Sequence, residues 1–346
     1  MLHSEQSRNT IPIIDISAPS EATAQQVLDA ASTHGFLYTK NDGVTIPPKD
    51  ISDMFALSRA LFDAPREQKA EFAIHSEKAG GVNRGWVRMQ GESLDPDGQK
   101  QGDPKEAFNI APPNPTLQPL PEPLSSKAAL ISRFQHSCHT LCTNLLSLLG
   151  TALQTPDPAY FTKRHDQALG PSGTIFRLLY YPKTTAGPHA PGSEEHNNIR
   201  AGAHSDYGSL TLLFRLPGQP GLQLHTPTGW IDVPVDPDPS SSTEPPILVN
   251  IGDLLSFWTA GMLKSTVHRV TFSGGEERYS MAYFCHPLDE ARLEAVPSIV
   301  IEKYGDAGET ELRSQRTRLG LREDEEGAIL TAKQHLDRRL KVTYDI

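Results

Sequence analysis

The chain has 346 residues, enough for one large domain with a substantial core. Acidic residues outnumber basic ones, 42 to 32, for a net charge of −10, and no basic block tracks phosphates, which argues against a nucleic-acid partner. No apolar run approaches membrane length, no signal-like segment opens the chain, and three cysteines are too few for a disulfide framework, so a soluble cytoplasmic protein without a membrane or protein partner is expected.

The 29 prolines and 26 glycines fall between short apolar runs, as a turn-rich β fold requires. Ile11 to Asp15 reads as a short strand. Ser20 caps a helix whose apolar positions are Ala24, Val27, Leu28 and Ala31, and His34-Gly35 ends it. Phe36-Leu37-Tyr38 is a second strand, followed by the turn Asn41-Asp42-Gly43. Pro47-Pro48 opens another helix, with Ile51, Met54, Phe55, Leu61 and Phe62 on one face. Residues 76–125 are irregular, with Asp103 to Ile110 leading into a strand. A long helix from Ser126 to Leu153 carries the stripe Leu130, Phe134, Cys138, Leu141, Leu145 and Leu148. Cys138 and Cys142, on or beside that stripe, read as small buried hydrophobes.

From residue 173 the pattern changes to short strands at short intervals. They are Thr174–Tyr181, Leu210–Phe214, Leu222–Leu224, Trp230–Val233, Ile247–Asn250, Leu254–Trp258, Thr266–Val270 and Tyr279–Phe284, with a polar loop at 183–203 and a surface loop at 234–246. The tail is helical in pattern at about 309–321 and 331–342 and should pack on the barrel. The expected class is mainly β with flanking helices, divided into an N-terminal α/β region 1–125, a supporting helix and linker 126–172, a β core 173–290, and a C-terminal helical segment 291–346 able to close a pocket.

Chemistry concentrates in His204-Ser205-Asp206. On a strand, alternate residues share a face, so the imidazole and the carboxylate would point together. His189, His196, His225 and His268 compete for a third ligand position, and His268, on a separate strand, has the best context. Two imidazoles and one carboxylate on one face of an octahedron leave positions for a bidentate 2-oxo acid and dioxygen, the arrangement of non-haem Fe(II) oxygenases. Zinc more often takes four tetrahedral ligands or three plus water, and the triad alone leaves iron, zinc and no metal open. Arg278 and Ser280 would share a strand face and make a guanidinium–hydroxyl receptor for a carboxylate. The competing explanation is a surface arginine in a weak ion pair with Glu276 or Glu277.

Taken together, these segments resemble the 2-oxoglutarate/Fe(II)-dependent dioxygenases of the isopenicillin N synthase-like group. The resemblance runs from Ile11–Asp15 and Gly35–Gly43, through the Asp-x-Lys-Glu-x-Phe segment at Asp103–Phe108, Tyr180-Tyr181-Pro182 and His204–Leu213. It continues through Gly221-Leu222-Gln223, Gly252-Asp253 and Gly261–Val270 to Arg278-Tyr279-Ser280. It implies a double-stranded β-helix, or cupin-like jelly roll, with His204, Asp206 and His268 as the catalytic iron ligands. It also implies that Arg278 and Ser280 bind the distal carboxylate of 2-oxoglutarate, helped by Tyr181 from the family's Asn-x-Tyr motif, whose Asn is Leu179 here. The cofactors implied are Fe(II), the co-substrate 2-oxoglutarate and O2. The activity implied is hydroxylation, desaturation or cyclisation of a small specialised metabolite, with release of succinate and CO2. Phe108, Ile110, Phe284 and the helix Leu312–Leu321 are the expected substrate contacts. The rival readings are an iron oxidase of the isopenicillin N synthase type that does not use 2-oxoglutarate, a non-catalytic jelly roll that binds a small acid, and a zinc hydrolase, for which no Glu is placed as a base.

Overall fold

The computed structural model describes residues 10–41, 43–95, 98, 101–183, 198–240, 244–273, 275–318 and 329–344. The alternating apolar runs pair into two sheets. The larger has the order β1 (Ile13–Ile14), β2 (Phe36–Thr39), β10 (Ile247–Ile251), β7 (Leu210–Arg215), β12 (Arg278–Cys285), β5 (Ile175–Tyr181), β4 (Glu106–Ile110) and β3 (Gly85–Val87). The smaller has the order β6 (Ile199–His204), β11 (His268–Thr271), β8 (Leu222–Thr226) and β9 (Gly229–Asp232). This is the expected jelly roll.

Strand alternation splits the interior in two. On β12, Tyr279, Met281 and Tyr283 join the larger apolar core with the helices, while Ala282 joins the smaller one between the sheets. On β5, Phe176 and Leu178 face the helices, and Leu179 and Tyr181 the second core. The long helix Ala128–Ala152 covers the helix side of the large sheet. Its Phe134 ring sits 5.1 Å from Phe176 of β5 and 5.1 Å from Phe214 of β7. Each such fully buried apolar side chain contributes about 1.5–3 kcal/mol. Cys138 and Cys142 are buried and free, as expected.

Local signals explain the remaining helices. Ser20 caps the helix Glu21–Thr33 by accepting a hydrogen bond from the Thr23 N–H, and Pro48 occupies the first turn of Pro48–Asp63, where no N–H is needed. Gly35 follows the first helix at φ +68°, and a Cβ there would lie 2.1 Å from the Lys264 carbonyl oxygen. That close contact joins the N-terminal region to the segment leading to His268. Leu254–Trp258 corrects the sequence reading: Asp253–Trp258 is a helix. Its continuous apolar run lacks a period-two signal, and such runs are ambiguous between a buried strand and a buried helix.

The segment 183–203 is only partly a loop, because residues 199–203 already belong to β6; residues 184–197, with His189 and His196, lie outside the described residues. The tail forms helices Ile299–Tyr304, Glu309–Arg318 and Ala332–Tyr344. Among the described residues, no helix is long and apolar enough to cross a membrane.

Candidate active site

β6 and β11 pair antiparallel with His204 directly opposite His268, which brings the two imidazole rings to 4.3 Å between centroids. His204 is the last residue of β6. Asp206 lies beyond it in the turn to β7 rather than on the strand, so the shared strand face expected of the pair is replaced by a strand end and a turn. The turn is held from below: the Asp253 N–H donates to the Asp206 carbonyl, and Gly252 passes so close to Gly208 that a Cβ would lie 2.2 Å from its carbonyl oxygen. One ligand atom from each of His204, Asp206 and His268 lies within 4.8 Å of the others.

The hydrogen bonds prepare all three groups for a metal. His204 Nδ1 donates to the Gly202 carbonyl at 2.8 Å, and His268 Nδ1 to the Thr266 carbonyl at 3.1 Å. Each bond fixes the tautomer that leaves Nε2 with a free lone pair. Asp206 Oδ2 accepts from Thr211 Oγ1 at 2.6 Å and Asn250 Nδ2 at 2.7 Å. Its Oδ1 faces the two Nε2 atoms, at 3.7 Å from His204 and 3.6 Å from His268. Burial, then the neighbouring His268, pushes the His204 pKa down to about 4, so the ring is neutral at physiological pH. Burial alone would raise Asp206, but the two histidines and the bonds from Asn250 and Thr211 outweigh it and hold the carboxyl below its usual range. Two neutral imidazoles and a carboxylate with its outer oxygen already satisfied fit a divalent iron. Among the described residues this is the only such cluster.

Arg278 and Ser280 occupy the same cavity as the triad, with Tyr181, Leu179 and Phe284. Arg278 is 2% exposed and pairs in register with Tyr181, whose ring lies 5.1 Å from the guanidinium carbon. Its Nε donates to the Pro220 carbonyl at 3.1 Å, and one terminal nitrogen donates to Ser280 Oγ at 3.2 Å. No carboxylate among the described residues pairs with it, so Glu276 and Glu277 do not explain this arginine. A buried guanidinium with only neutral partners is a receptor for an anion.

The family described as the 2OG-Fe(II) oxygenase superfamily matches residues 173–287, and the N-terminal family described as non-haem dioxygenase in morphine synthesis matches 11–133. The 2-oxoglutarate-dependent dioxygenase htyE of Aspergillus rugulosus is 30% identical, covering 80% of this chain and 87% of its own. The chain belongs to the 2OG-Fe(II) oxygenase superfamily. A UPF0676 protein of Schizosaccharomyces pombe is 33% identical over 96% of this chain and 92% of its own. The full-length Neurospora crassa protein solved with alpha-KG superposes with a TM-score of 0.72 at 29% identity, covering 95% of each chain. This oxygenase is thus a 2-oxoglutarate- and Fe(II)-dependent dioxygenase, which oxidises a small molecule while 2-oxoglutarate becomes succinate and CO2.

The rest of the oxygenase's cavity corrects two expected substrate contacts. Phe108 and Ile110 are 0% exposed and lie in the helix-side core, not on the cavity wall. Their strand parity is the reason: on β4 it is Asn109 that faces the cavity, together with Lys105 just before the strand. Phe284 does line the cavity. Of the expected Leu312–Leu321 contact, residues 312–318 form the end of the helix Glu309–Arg318 and residues 319–321 lie outside the described residues; the C-terminal helix that lines the cavity is Ala332–Tyr344, through Leu336, Leu340, Thr343 and Tyr344.

A buried ionic network, missed in the sequence, ties this wall to the metal ligands. Lys105 Nζ lies 2.9 Å from Glu92 Oε1 and 2.5 Å from Asp103 Oδ2. Arg177 lies 2.5 Å from Glu92 Oε1, and the Tyr344 hydroxyl donates to Glu92 Oε2 at 2.7 Å. Burial would raise Glu92, but Arg177 and Lys105 outweigh it and keep the carboxyl far below its usual range. Asp103 Oδ1 accepts from the Gly202 N–H at 2.9 Å, and Gly202 presents the carbonyl that orients His204. Asp103 is therefore linked to His204 through the backbone of Gly202, in position to orient its ring. Joint replacement Asp103→Leu and Lys105→Met keeps the buried charge balanced but removes the acceptor. It is expected to weaken Fe(II) binding about 10- to 100-fold, as loss of an outer-shell partner does. Asp103→Asn with Lys105→Met retains an acceptor and should stay close to wild type; equal Fe(II) affinities for the two double variants in metal titration would refute the positioning role.

Arg177 had a sequence signal, a lone charge inside an apolar strand run. Glu92, in an irregular segment, and Tyr344, near the C-terminus, had none.

Proposed function

We propose that His204, Asp206 and His268 hold the catalytic Fe(II), and that Arg278, Ser280 and Tyr181 receive the distal carboxylate of 2-oxoglutarate. The observation that carries this reading is the buried, carboxylate-free Arg278 in one cavity with three converging ligand atoms. Bound there, iron and 2-oxoglutarate would together supply the electrons for O2 activation that the protein's own groups cannot. The protein's part is to fix the imidazole tautomers, keep Asp206 ionised, anchor the co-substrate and exclude water. Leu179, opposite Ser280 in register, offers the co-substrate apolar contact where an Asn would offer a polar one.

In this reading residues 173–290 are the catalytic core and the 291–346 segment closes it. The cavity, about 1040 Å³ counting its open mouth, suits a small metabolite beside the co-substrate, with Phe284 on its wall. The Neurospora crassa neighbour has also been solved with thymine and with 5-formyluracil, which makes compact polar rings the first molecules to test here. The three free cysteines fit a reducing, cytoplasmic setting.

Anaerobic titration of the purified protein with Fe(II) and then 2-oxoglutarate tests the reading. A metal-to-ligand charge-transfer band should appear only when both are present. Substrate-dependent O2 uptake without any need for 2-oxoglutarate would instead favour the oxidase type.

A further inference from the structure

The helix Ala332–Tyr344 meets both the cavity and the metal-ligand turn. Its start is fixed by backbone: the Ala332 N–H donates to the Ala291 carbonyl at 2.9 Å, and the Lys333 N–H to the Asp289 carbonyl at 3.0 Å. Its second half is held by side chains. The Tyr207 hydroxyl donates to Thr343 Oγ1, whose own hydrogen goes to the Arg339 carbonyl at 3.1 Å, and the Tyr344 hydroxyl reaches Glu92. Ala332, His335, Leu336, Arg339, Leu340 and Thr343 form the buried face at helical spacing, and of these only Arg339 carries a permanent charge.

Arg339 is 7% exposed and reaches the segment that carries the iron ligands. One terminal nitrogen donates, at 3.4 Å, to the carbonyl of Ser205, the residue between His204 and Asp206. The guanidinium carbon lies 4.3 Å from the centre of the Tyr207 ring, and Nε lies 3.7 Å from Asp253 Oδ2. Asp253 is 2% exposed, and its N–H donates to the Asp206 carbonyl at 2.8 Å. Its Oδ1 accepts at 2.6 Å from Oγ of Ser265, three residues before His268 (268 − 265). Arg339 and Asp253 together thus touch the chain beside all three ligands. A buried ion pair adds little stability over apolar side chains of the same volume, so stability alone does not account for this one. A rigid fork that spans a carbonyl, a ring and a carboxylate does fix the segments that carry them relative to one another.

We propose that Arg339 is a positioning residue for the iron site, an inference that rests on the iron-ligand roles given above. With Asp253 it sets the Ser205–Tyr207 segment, so docking of the C-terminal helix completes the ligand geometry. Docking and metal binding are then linked: the factor that the docked helix adds to Fe(II) affinity is the factor that bound Fe(II) adds to docking. Because Leu336 and Leu340 of the same helix line the cavity, closing the cavity and preparing the metal site are one event.

The test uses the full chain under anaerobic conditions, with Fe(II) titration and hydrogen exchange of residues 332–344 as readouts. Arg339→Leu with Asp253→Asn removes both charges together, and the Asn still accepts from Ser265. This double variant should bind Fe(II) about tenfold or more weakly, whereas Arg339→Lys, which keeps the charge, should fall between it and wild type. Leu145→Ala, in the helix-side core away from the cavity, supplies a destabilised control that should bind Fe(II) like wild type. Saturating Fe(II) should slow exchange in the wild-type helix about tenfold or more, and the double variant should lose most of that protection. Wild-type Fe(II) affinity in the double variant, an equal loss in Leu145→Ala, or no metal-dependent protection of the helix would each overturn the proposal. Failure of the wild-type chain to bind Fe(II) at all would count against the iron-ligand roles instead.

Discussion

His268→Ala is expected to give a folded protein that neither holds Fe(II) tightly nor develops the charge-transfer band, with turnover down about a thousandfold or more. The magnitude follows from chemistry that depends on the metal: several kcal/mol of activation supplied through one centre correspond to about three powers of ten in rate. His268 is suited to the test. It packs edge-on against Phe36 at 5.6 Å and pairs with Leu224 as well as His204, so the strand survives loss of its ring. Thr211→Val is the graded companion. It deletes one of the two bonds to Asp206 Oδ2 and leaves that of Asn250, so Fe(II) affinity should fall about 10- to 100-fold without being abolished. Metal titration with melting curves separates the two cases from unfolding. A His268→Ala protein that binds Fe(II) like the wild type would remove His268 from the site.

The triad could be found in the sequence because its chemistry is compact: a His-x-Asp pair before an apolar run, and a second histidine on a strand with its own turn signal. The geometry was less legible. Asp206 sits in a turn, and what aims it at the histidines is a local bond from Thr211 together with the approach of Gly252 to Gly208 and the bond from Asn250, the last two being contacts between segments far apart in the chain. Strand parity misled at Phe108 and Ile110. A one-residue choice of register moves an entire set of side chains to the opposite face, and nothing local to Glu106–Ile110 says which face is covered by the long helix. Leu254–Trp258 failed for want of periodicity. The Glu92–Tyr344 bond joins residues 252 positions apart, and neither has a motif around it. Local patterns thus named the metal ligands, whereas the wall that meets the substrate depends on long-range packing.

Arg278→Met should raise the KM for 2-oxoglutarate by roughly 30-fold to several thousandfold and change kcat at saturating co-substrate only a few-fold. Methionine fills a similar volume but leaves a carboxylate without its fork, and loss of one partner from a buried charge pair costs about 2–5 kcal/mol. The effect should fall on KM because the distal carboxylate is remote from the reacting carbonyl and is held equally in the ground and transition states. Arg278→Lys is the discriminating partner. It keeps the charge, but a single ammonium cannot at once replace the Nε bond to Pro220 and the terminal-nitrogen bond to Ser280, so its KM should lie between wild type and the Met variant. Burial pulls the Arg278 pKa below its ordinary value while Tyr181 opposes this, and a guanidinium still remains charged across the working pH range. Steady-state kinetics with 2-oxoglutarate as the varied substrate measure all three proteins. An unchanged KM in Arg278→Met would show that the buried cation does not anchor the co-substrate. The same arginine would then be free to hold a substrate carboxylate, as in an oxidase that needs no 2-oxo acid.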